Sequence, residues 1–215
     1  WIGQFDASME YLNKSLTLWD QIGDKKSVAR LHAIMAYAFW QFGSDRDKAS
    51  EHHRVALEIL EKEPESVELA GLYEDISHML WRTGKSTAEA LSWAQKAFEL
   101  AERLGAPEVL APCYNDLGTL SLKLGEYEKA SKYYEQGLKI SLENQAAFGW
   151  AGTFYNNLSE LYWVIGEFQK KFETAQKGSE FTKKVGSLYG LTWINSALAT
   201  SYMFMGETQK AVSIY

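Results

Sequence analysis

The chain has 215 residues, of which 46% are hydrophobic and 23% charged, a composition typical of an ordered protein rather than a disordered one. Its formal net charge of −6 argues against the basic surface that duplex nucleic acid or an anionic membrane would attract, so we expect neither as a partner. The one cysteine, Cys113, cannot form an internal disulfide, and we therefore expect a reducing compartment such as the cytoplasm.

Glycines recur along the chain at intervals of 40 or 41 residues. They are Gly3, Gly43, Gly84, Gly125, Gly166 and Gly206. Small residues keep the same register seven places before the last five of these glycines, at Ala36, Ser77, Gly118, Ser159 and Ala199. Small side chains at recurring sites let two helices approach closely. Each unit therefore predicts a helix A, a turn at the glycine, and a helix B packed antiparallel to helix A.

In chain order, the apolar periodicity predicts B and A helices in alternation. The B helices are expected at 6–21, 46–62, 87–104, 127–144 and 168–184, with a last one starting at 208. The A helices are expected at 26–42, 67–83, 108–124, 149–165 and 190–205. No linker is long enough to separate two domains, and one helix pair cannot bury its own apolar stripe. We therefore predict an all-α fold in which about five helix pairs stack.

The third complete unit carries a recognisable pattern. It reads Tyr114-Asn115-Asp116-Leu117-Gly118, then Gly125-Glu126-Tyr127-Glu128-Lys129-Ala130, then Tyr134 and Leu138. These residues resemble a tetratricopeptide repeat, although the interval is near 41 instead of about 34 residues. The long variety resembles the repeats of kinesin light chains and the sensor arrays of signal-transduction ATPases and of regulators related to the maltose-regulon activator. The resemblance implies a right-handed α-α superhelix over residues 1–215 and leaves the function open.

The repeat boundaries predict complete units at 26–65, 67–106, 108–147 and 149–187, with partial units at 1–25 and 190–215. Neither end carries the polar capping element that usually finishes a solenoid, so we expect a piece of a longer protein. The fourth complete unit departs from the pattern, because Lys171 stands where the other units carry Ala or Ser. We expect the least regular helix packing near 168–180.

Rows of residues at fixed distances from each glycine predict a binding groove on the A helices. Three places before the glycine stands a row of large apolar residues, and the resemblance implies that this position faces the groove. The row is Trp40, Trp81, Leu122, Trp163 and Met203. Polar residues occupy the positions ten and nine places before the glycine in three units, as Glu74 and Asp75, Asn115 and Asp116, and Asn156 and Asn157. Asn and Asp are poor mid-helix residues, so their recurrence needs a reason.

One interpretation is a peptide clamp. Asn115 and Asn156 would bond a peptide backbone, and the carboxylates would select a basic or amino-terminal group. The tryptophans would anchor the peptide. The candidate groove residues are Trp40, Glu74, Asp75, His78, Trp81, Asn115, Asp116, Asn156, Asn157, Glu160 and Trp163. In the alternative, the tryptophan row packs between adjacent A helices and the asparagines bond neighbouring helices.

Residues that would indicate catalysis, a metal or a cofactor do not form a convincing set. His52 and His53 are adjacent on a helix and point about 100° apart, so they cannot bind one metal from one face. The glycines are single and punctuate helices, unlike a phosphate-binding loop. We therefore expect no metal, no cofactor and no enzyme activity.

Two functions remain open. The first is an interaction module that binds a protein or peptide partner, or another domain of the same parent chain, in the concave groove. The second is a sensor of a small molecule or signal within a multidomain regulator. A structural spacer is a weaker third possibility.

Overall fold

A computed structural model describes residues 2–43, 45–84 and 86–214. Within these ranges the regular elements are all helical and no strand is present, which confirms the predicted all-α class. The chain divides into two compact units, residues 1–109 and 110–215.

The first unit consists of antiparallel helix pairs. Helix α1 packs on α2, α2 on α3, and α4 on α5, while the A helices α2 and α4 also contact each other. The bounds are α1 Ile2–Ile22, α2 Lys25–Ala38, α3 Arg46–Leu60, α4 Val67–Thr83 and α5 Thr87–Leu104. Helices α2 to α5 each begin at a capping side chain, Asp24, Asp45, Ser66 or Ser86, which accepts a hydrogen bond from the backbone N–H three residues later.

The second unit continues the same alternation. Helix α7 packs on α8, α8 on α9, α9 on α10, and α10 on α11, while the A helices α8 and α10 also contact each other. The bounds are α6 Pro107–Lys123, α7 Tyr127–Glu143, α8 Ala151–Val164, α9 Phe168–Val185, α10 Leu188–Phe204 and α11 Thr208–Ser213, and α6 begins before the division between the units.

Two A helices are less regular than the sequence predicts. Helix α2 was expected to reach residue 42 but ends at Ala38, and the π-helical turn Phe39–Gly43 follows it. Helix α8 was expected from residue 149 but is preceded by the 3-10 turn Gln145–Trp150. The predicted glycine turn is present at Gly84, Gly125, Gly166 and Gly206, where φ lies between 68° and 78°. Gly43 differs, because a Cβ there would meet the Phe5 ring at 2.7 Å, so close packing is what requires its small size.

The small-residue positions lie at the helix crossings, as predicted. Ala36, Ser77 and Ser159 are fully buried, and Ala199 is 4% exposed. At Gly118, an added Cβ would collide with the Tyr134 ring of the next helix. The apolar stripe of the A helices is equally buried, since its members are at most 7% exposed. They are Met35, Ile76, Leu117, Leu158 and Leu198.

Lys171 lies inside the crossing of α8 and α9. The residue is 3% exposed, and its Nζ reaches Glu160 Oε1 at 3.5 Å and lies 5.0 Å from the centre of the Trp163 ring. The Ser159 hydroxyl donates to the Lys171 carbonyl at 3.4 Å, whereas the corresponding bond from Ser77 to Ala90 measures 3.0 Å. Helix α9 itself is continuous, so the buried lysine is accommodated without a break in the helix.

Within the described residues, no helix combines the length and apolar character that crossing a membrane would require.

Candidate binding surfaces

In the first unit, the predicted tryptophan row forms an aromatic cluster that joins the A helices α2 and α4. The His78 ring lies edge-on to Trp40 and to Trp81, with ring centres 5.8 and 5.0 Å away. The Arg82 guanidinium lies 5.9 Å from the centre of Trp40 and 5.6 Å from that of Trp81, within the range of a cation–π contact. Both indoles are half-buried. The row therefore contacts the neighbouring A helix and also reaches the surface.

A cleft of about 450 Å³ lies beside this cluster, between α2 and α4. The groove positions Ala33 and Ile34 line one side, and Gly71 and Asp75 line the other, with Tyr37 close to Trp40. Ile34 and Tyr37 are 44% and 47% exposed, so the cleft is open to solvent. A Cβ added at Gly71 would meet nothing within 4 Å, which identifies this glycine as a gap in the wall.

A second, much smaller cavity of about 10 Å³ shares Tyr37 and Asp75 with the cleft. Its other walls are Trp40, His53, His78 and Met79. His53 is 5% exposed, and neither ring nitrogen has a hydrogen-bond partner among the residues that the structure describes. Burial lowers the pKa of His53 to about 4, and the neighbouring His52 adds to the effect, so the ring is neutral at pH 7.

The other two histidines of this unit bond to each other across α2 and α3. His32 Nδ1 lies 2.8 Å from His52 Nδ1, and the ring of His52 stacks on Phe39. The ring centres of the two histidines are 5.1 Å apart, which is as far as a 2.8 Å contact between the Nδ1 atoms allows, so the nitrogens point directly at each other. This geometry fits a hydrogen bond in which one Nδ1–H donates to the other Nδ1. Binding of a common metal would instead require the two nitrogen lone pairs to converge on a point away from the line that joins the nitrogens.

In the second unit, the polar rows form one hydrogen bond between helices and one within α6. The Asn157 amide donates to Asn115 Oδ1 at 2.7 Å, and the Asn115 amide donates to Asp116 Oδ1 at 3.3 Å. Asn115 is 5% exposed and Asp116 is fully buried. This is the arrangement in which the asparagines bond a neighbouring helix. Asn156 is half-buried on the next A helix and Glu160 is exposed.

An exposed aromatic group surrounds Trp163 in the second unit. The rings of Trp163 and Phe204 lie 4.4 Å apart, and Phe168 contacts Trp163 at 5.2 Å. Phe168 is 55% and Phe204 66% exposed, while Trp163 is half-buried. Apolar side chains at this exposure, clustered beside the charged Glu160, are typical of a contact surface.

The structure thus brings Trp40, Asp75, His78 and Trp81 together in the first unit, with Glu74 half-buried on the same helix as Asp75. The candidate groove residues predicted from the sequence did not include six residues that the structure adds to these surfaces. They are Tyr37, His53, Gly71, Arg82, Phe168 and Phe204. Of these, Tyr37 alone had a signal, an aromatic residue one helical turn before Trp40.

Comparison with known proteins agrees with this architecture. Residues 68–143 match the family model of the tetratricopeptide repeat. This segment therefore belongs to the tetratricopeptide repeat family. No curated protein matches this repeat chain.

Three solved structures illustrate the likeness. BtubC (BKLC) from P. vanneervenii has a TM-score of 0.81 at 19% identity, with 98% of this repeat chain and 87% of that chain covered. A signal transduction ATPase with numerous domains from Pyrococcus horikoshii, which has a tetratricopeptide repeat sensor, has a TM-score of 0.76 at 20% identity, with 98% and 32% covered. A Rap protein complexed with competence and sporulation factor has a TM-score of 0.69 at 15% identity, with 97% and 62% covered. At these identities the likeness concerns the fold.

Proposed function

We propose that the chain is a protein-interaction module that binds a polypeptide segment against its A helices. In the first unit the segment would lie in the cleft between α2 and α4, with the half-buried Trp40 and Trp81 as anchors beside it. The observation that supports this proposal most directly is the cleft itself, because its wall includes the predicted groove positions Ala33, Ile34 and Asp75 of successive repeats.

The chemistry of the cleft suits a peptide. Its lining contains alanine, leucine, valine and glycine together with the charged residues Arg30, Glu68 and Asp75. Binding sites commonly combine an apolar interior with a few polar groups that fix orientation. The half-exposed aromatic rings nearby belong to the residue types that contribute most energy to protein contacts.

In the second unit we propose a narrower set of contact residues than the sequence indicates. Asn115 and Asp116 are buried and bonded within the fold, so a peptide backbone would have to displace those bonds to reach them. Asn156, Glu160 and Trp163 remain accessible, and Phe168 and Phe204 extend the apolar surface around them. We propose these five residues as the contact surface there.

The proposed module is non-catalytic and acts in the cytoplasm. Related folds support a binding role: one solved neighbour is a Rap protein complexed with competence and sporulation factor, and another carries its repeats as a sensor. The chain spans 32% of the length of that sensor protein.

A glycine substitution tests the cleft. Peptides are selected from a displayed random library on the wild-type chain, and their affinities are measured by fluorescence anisotropy. Gly71→Leu places a side chain in open space within the cleft and should weaken the selected peptides at least about tenfold, or 1.4 kcal/mol.

The matched control is Gly149→Leu, because Gly149 also has open space around its Cβ position but lies in the 3-10 turn of the second unit. This variant should bind like the wild type. Equal binding by both variants would reject the cleft, and failure to select any peptide would reject the peptide-binding role.

A small-molecule sensor is the second candidate. The cleft volume of about 450 Å³ lies within the range of ligand pockets, and one solved neighbour has a tetratricopeptide repeat sensor. A metabolite screen by thermal shift, repeated on Gly71→Leu, distinguishes this function. A compound that stabilises the wild type but not the variant would favour the sensor.

A further inference from the structure

The imidazole of His53 is buried, and its hydrogen-bonding capacity is unused within the described part of the chain. A buried polar group without a hydrogen bond costs free energy, so its presence requires an explanation. A neutral imidazole carries one N–H donor and one acceptor nitrogen, and neither has a partner among the residues that the structure describes. His53 lines the cavity of about 10 Å³, which has room for one group the size of a water molecule.

The walls of this cavity favour a positive charge. The Asp75 carboxylate lines it together with the aromatic rings of Tyr37 and Trp40. A carboxylate attracts a cation and repels an anion. The Arg82 guanidinium already lies 5.9 Å from the centre of the Trp40 ring, so the Asp75 carboxylate, and not the indole, supplies the attraction. The pKa of His53, lowered to about 4, keeps this ring uncharged at pH 7, so it does not oppose a cation.

The cavity adjoins the larger cleft. Tyr37 and Asp75 line both the cavity and the larger cleft between α2 and α4. In the proposed complex, the chain attached to a group in the cavity would lie along the wall that contains Ala33, Ile34 and Gly71.

We propose that the cavity beside His53 binds a primary ammonium group of a polypeptide that occupies the cleft. The ammonium would donate hydrogen bonds to the acceptor nitrogen of His53 and to the Asp75 carboxylate, with Trp40 and Tyr37 as walls. The source is a lysine side chain or a free amino terminus, which share this chemistry. The inference rests on the proposed peptide-binding function and specifies its partner.

The probes are small amides titrated into the ¹⁵N-labelled 215-residue chain, with the imidazole and indole resonances of His53 and Trp40 observed by NMR. Nα-acetyl-lysine amide carries only a side-chain ammonium, and alanine amide carries only an α-ammonium, so the two separate the sources. Nα-acetyl-norleucine amide is the neutral control. We expect saturable shifts of both resonances with at least one amine and none with norleucine amide.

A second control tests the size of the cavity. The Nα-acetyl amide of trimethyl-lysine keeps the positive charge but is too large for a volume that holds about one water molecule. It should not bind, whereas an open aromatic surface would accept it.

Two substitutions provide the matched pair. Asp75→Asn keeps the shape of the wall and removes its charge, and it should weaken the bound amine at least about tenfold. Glu89→Gln removes the same charge from an exposed residue of α5, which does not line the cavity, and should have little effect. If Asp75→Asn lowers the melting temperature, His53→Met gives the same test by removing the acceptor nitrogen.

Several results would overturn the inference: equal shifts with norleucine amide, equal affinity in Asp75→Asn and the wild type, or a bound water at His53 that persists at saturating amine. Its failure is distinguishable from that of the proposed function. If selected peptides bind the cleft without requiring a lysine or a free amino terminus, the ammonium site alone is rejected. If an amine binds but no peptide does, the peptide-binding role is rejected.

Discussion

At the scale of single residues, His53 links the stability of the fold to pH. Its pKa is about 4 in the folded chain, because burial disfavours the charged ring, and near 6.5 when unfolded. Between these values the unfolded state binds more protons than the folded state, so stability rises with pH and is lost as the pH falls. The pKa values of His32 and His52 are also lowered by burial and act in the same direction.

We therefore predict that the free energy of unfolding in urea decreases by about 2 kcal/mol from His53 alone when the pH is lowered from 7 to 5. His53→Met cannot titrate and should remove the larger part of this dependence. If the free energy of unfolding of the variant depends on pH as strongly as that of the wild type, groups other than His53 cause the pH dependence.

Two glycines in helices should respond oppositely to the same substitution. A Cβ at Gly137 of α7 would collide with the ring of Phe154, which is fully buried. Gly137→Ala should therefore destabilise the chain by about 1–3 kcal/mol, despite the better helix propensity of alanine.

The comparison variant is Gly71→Ala, in which the new methyl group meets no atom within 4 Å. Here only the higher helix propensity of alanine acts, and we expect the free energy of unfolding to increase by about 0.5–1 kcal/mol. Chemical denaturation of both variants measures the difference, and a loss of stability in Gly71→Ala would contradict the open wall of the cleft.

The sequence predicted part of the candidate site because part of the site repeats. Trp40, Trp81 and Trp163 recur at a fixed distance from each glycine, which identifies them without coordinates. The cavity at His53 could not be found in this way, since His53 belongs to a B helix and Tyr37 and Asp75 to two different A helices. Their proximity depends on how the helices cross, and no spacing in the sequence records that crossing.

At the scale of helices, Lys171 tests how a long polar side chain is accommodated between α8 and α9. Its stem is buried where the other repeats have alanine or serine, and its ammonium lies 3.5 Å from Glu160. Lys171→Met keeps the stem and should change the unfolding free energy by less than about 1 kcal/mol, because a lone long contact to an exposed carboxylate contributes little.

Lys171→Ala removes the stem and should cost about 2 kcal/mol or more, as cavity-forming substitutions do. Urea unfolding of both variants provides the measurement. If methionine proves as costly as alanine, the ammonium contacts with Glu160 and Trp163 carry the stability instead.

Helix limits were predictable, and the local departures from them were not. Predicted and observed limits of α4 and α5 coincide at 67–83 and 87–104, because caps and glycine turns fix both ends. The π-helical turn Phe39–Gly43 was missed, since apolar periodicity does not specify which carbonyl each N–H selects. Gly43 keeps its place in the series of glycines spaced by 40 or 41 residues. At this position the rings of Phe5 and Phe39 pack around the glycine, and the backbone forms a π-helical turn instead of the glycine turn of the other repeats.

At the scale of the whole molecule, stacked repeats predict uneven protection along the chain. Helix α8 carries Phe154, Leu158 and Leu161, each at most 4% exposed, and packs between α7 and α9. Helix α1 has Met9 as its buried residue in the described part, and the short α11 has Ala211. Stability in such arrays is a sum over neighbouring repeats, so the terminal helices should open first.

Amide hydrogen exchange followed by mass spectrometry should therefore show the slowest exchange in α8 and the fastest in α1 and α11. The peptides of α5, in the first unit, provide an internal comparison. Protection of α1 equal to that of α8 would mean that its exposed Tyr11, Leu18 and Ile22 are covered in solution.

The one cysteine gives this protein an intrinsic reporter of such openings. Cys113 lies in α6 with no exposed surface, and the sequence holds no second thiol. A thiol reagent can then react only after the surrounding helices separate. The rate of thiol labelling at saturating reagent would therefore measure the rate at which the helices around Cys113 open. The measurement needs no introduced dye and no substitution in the chain.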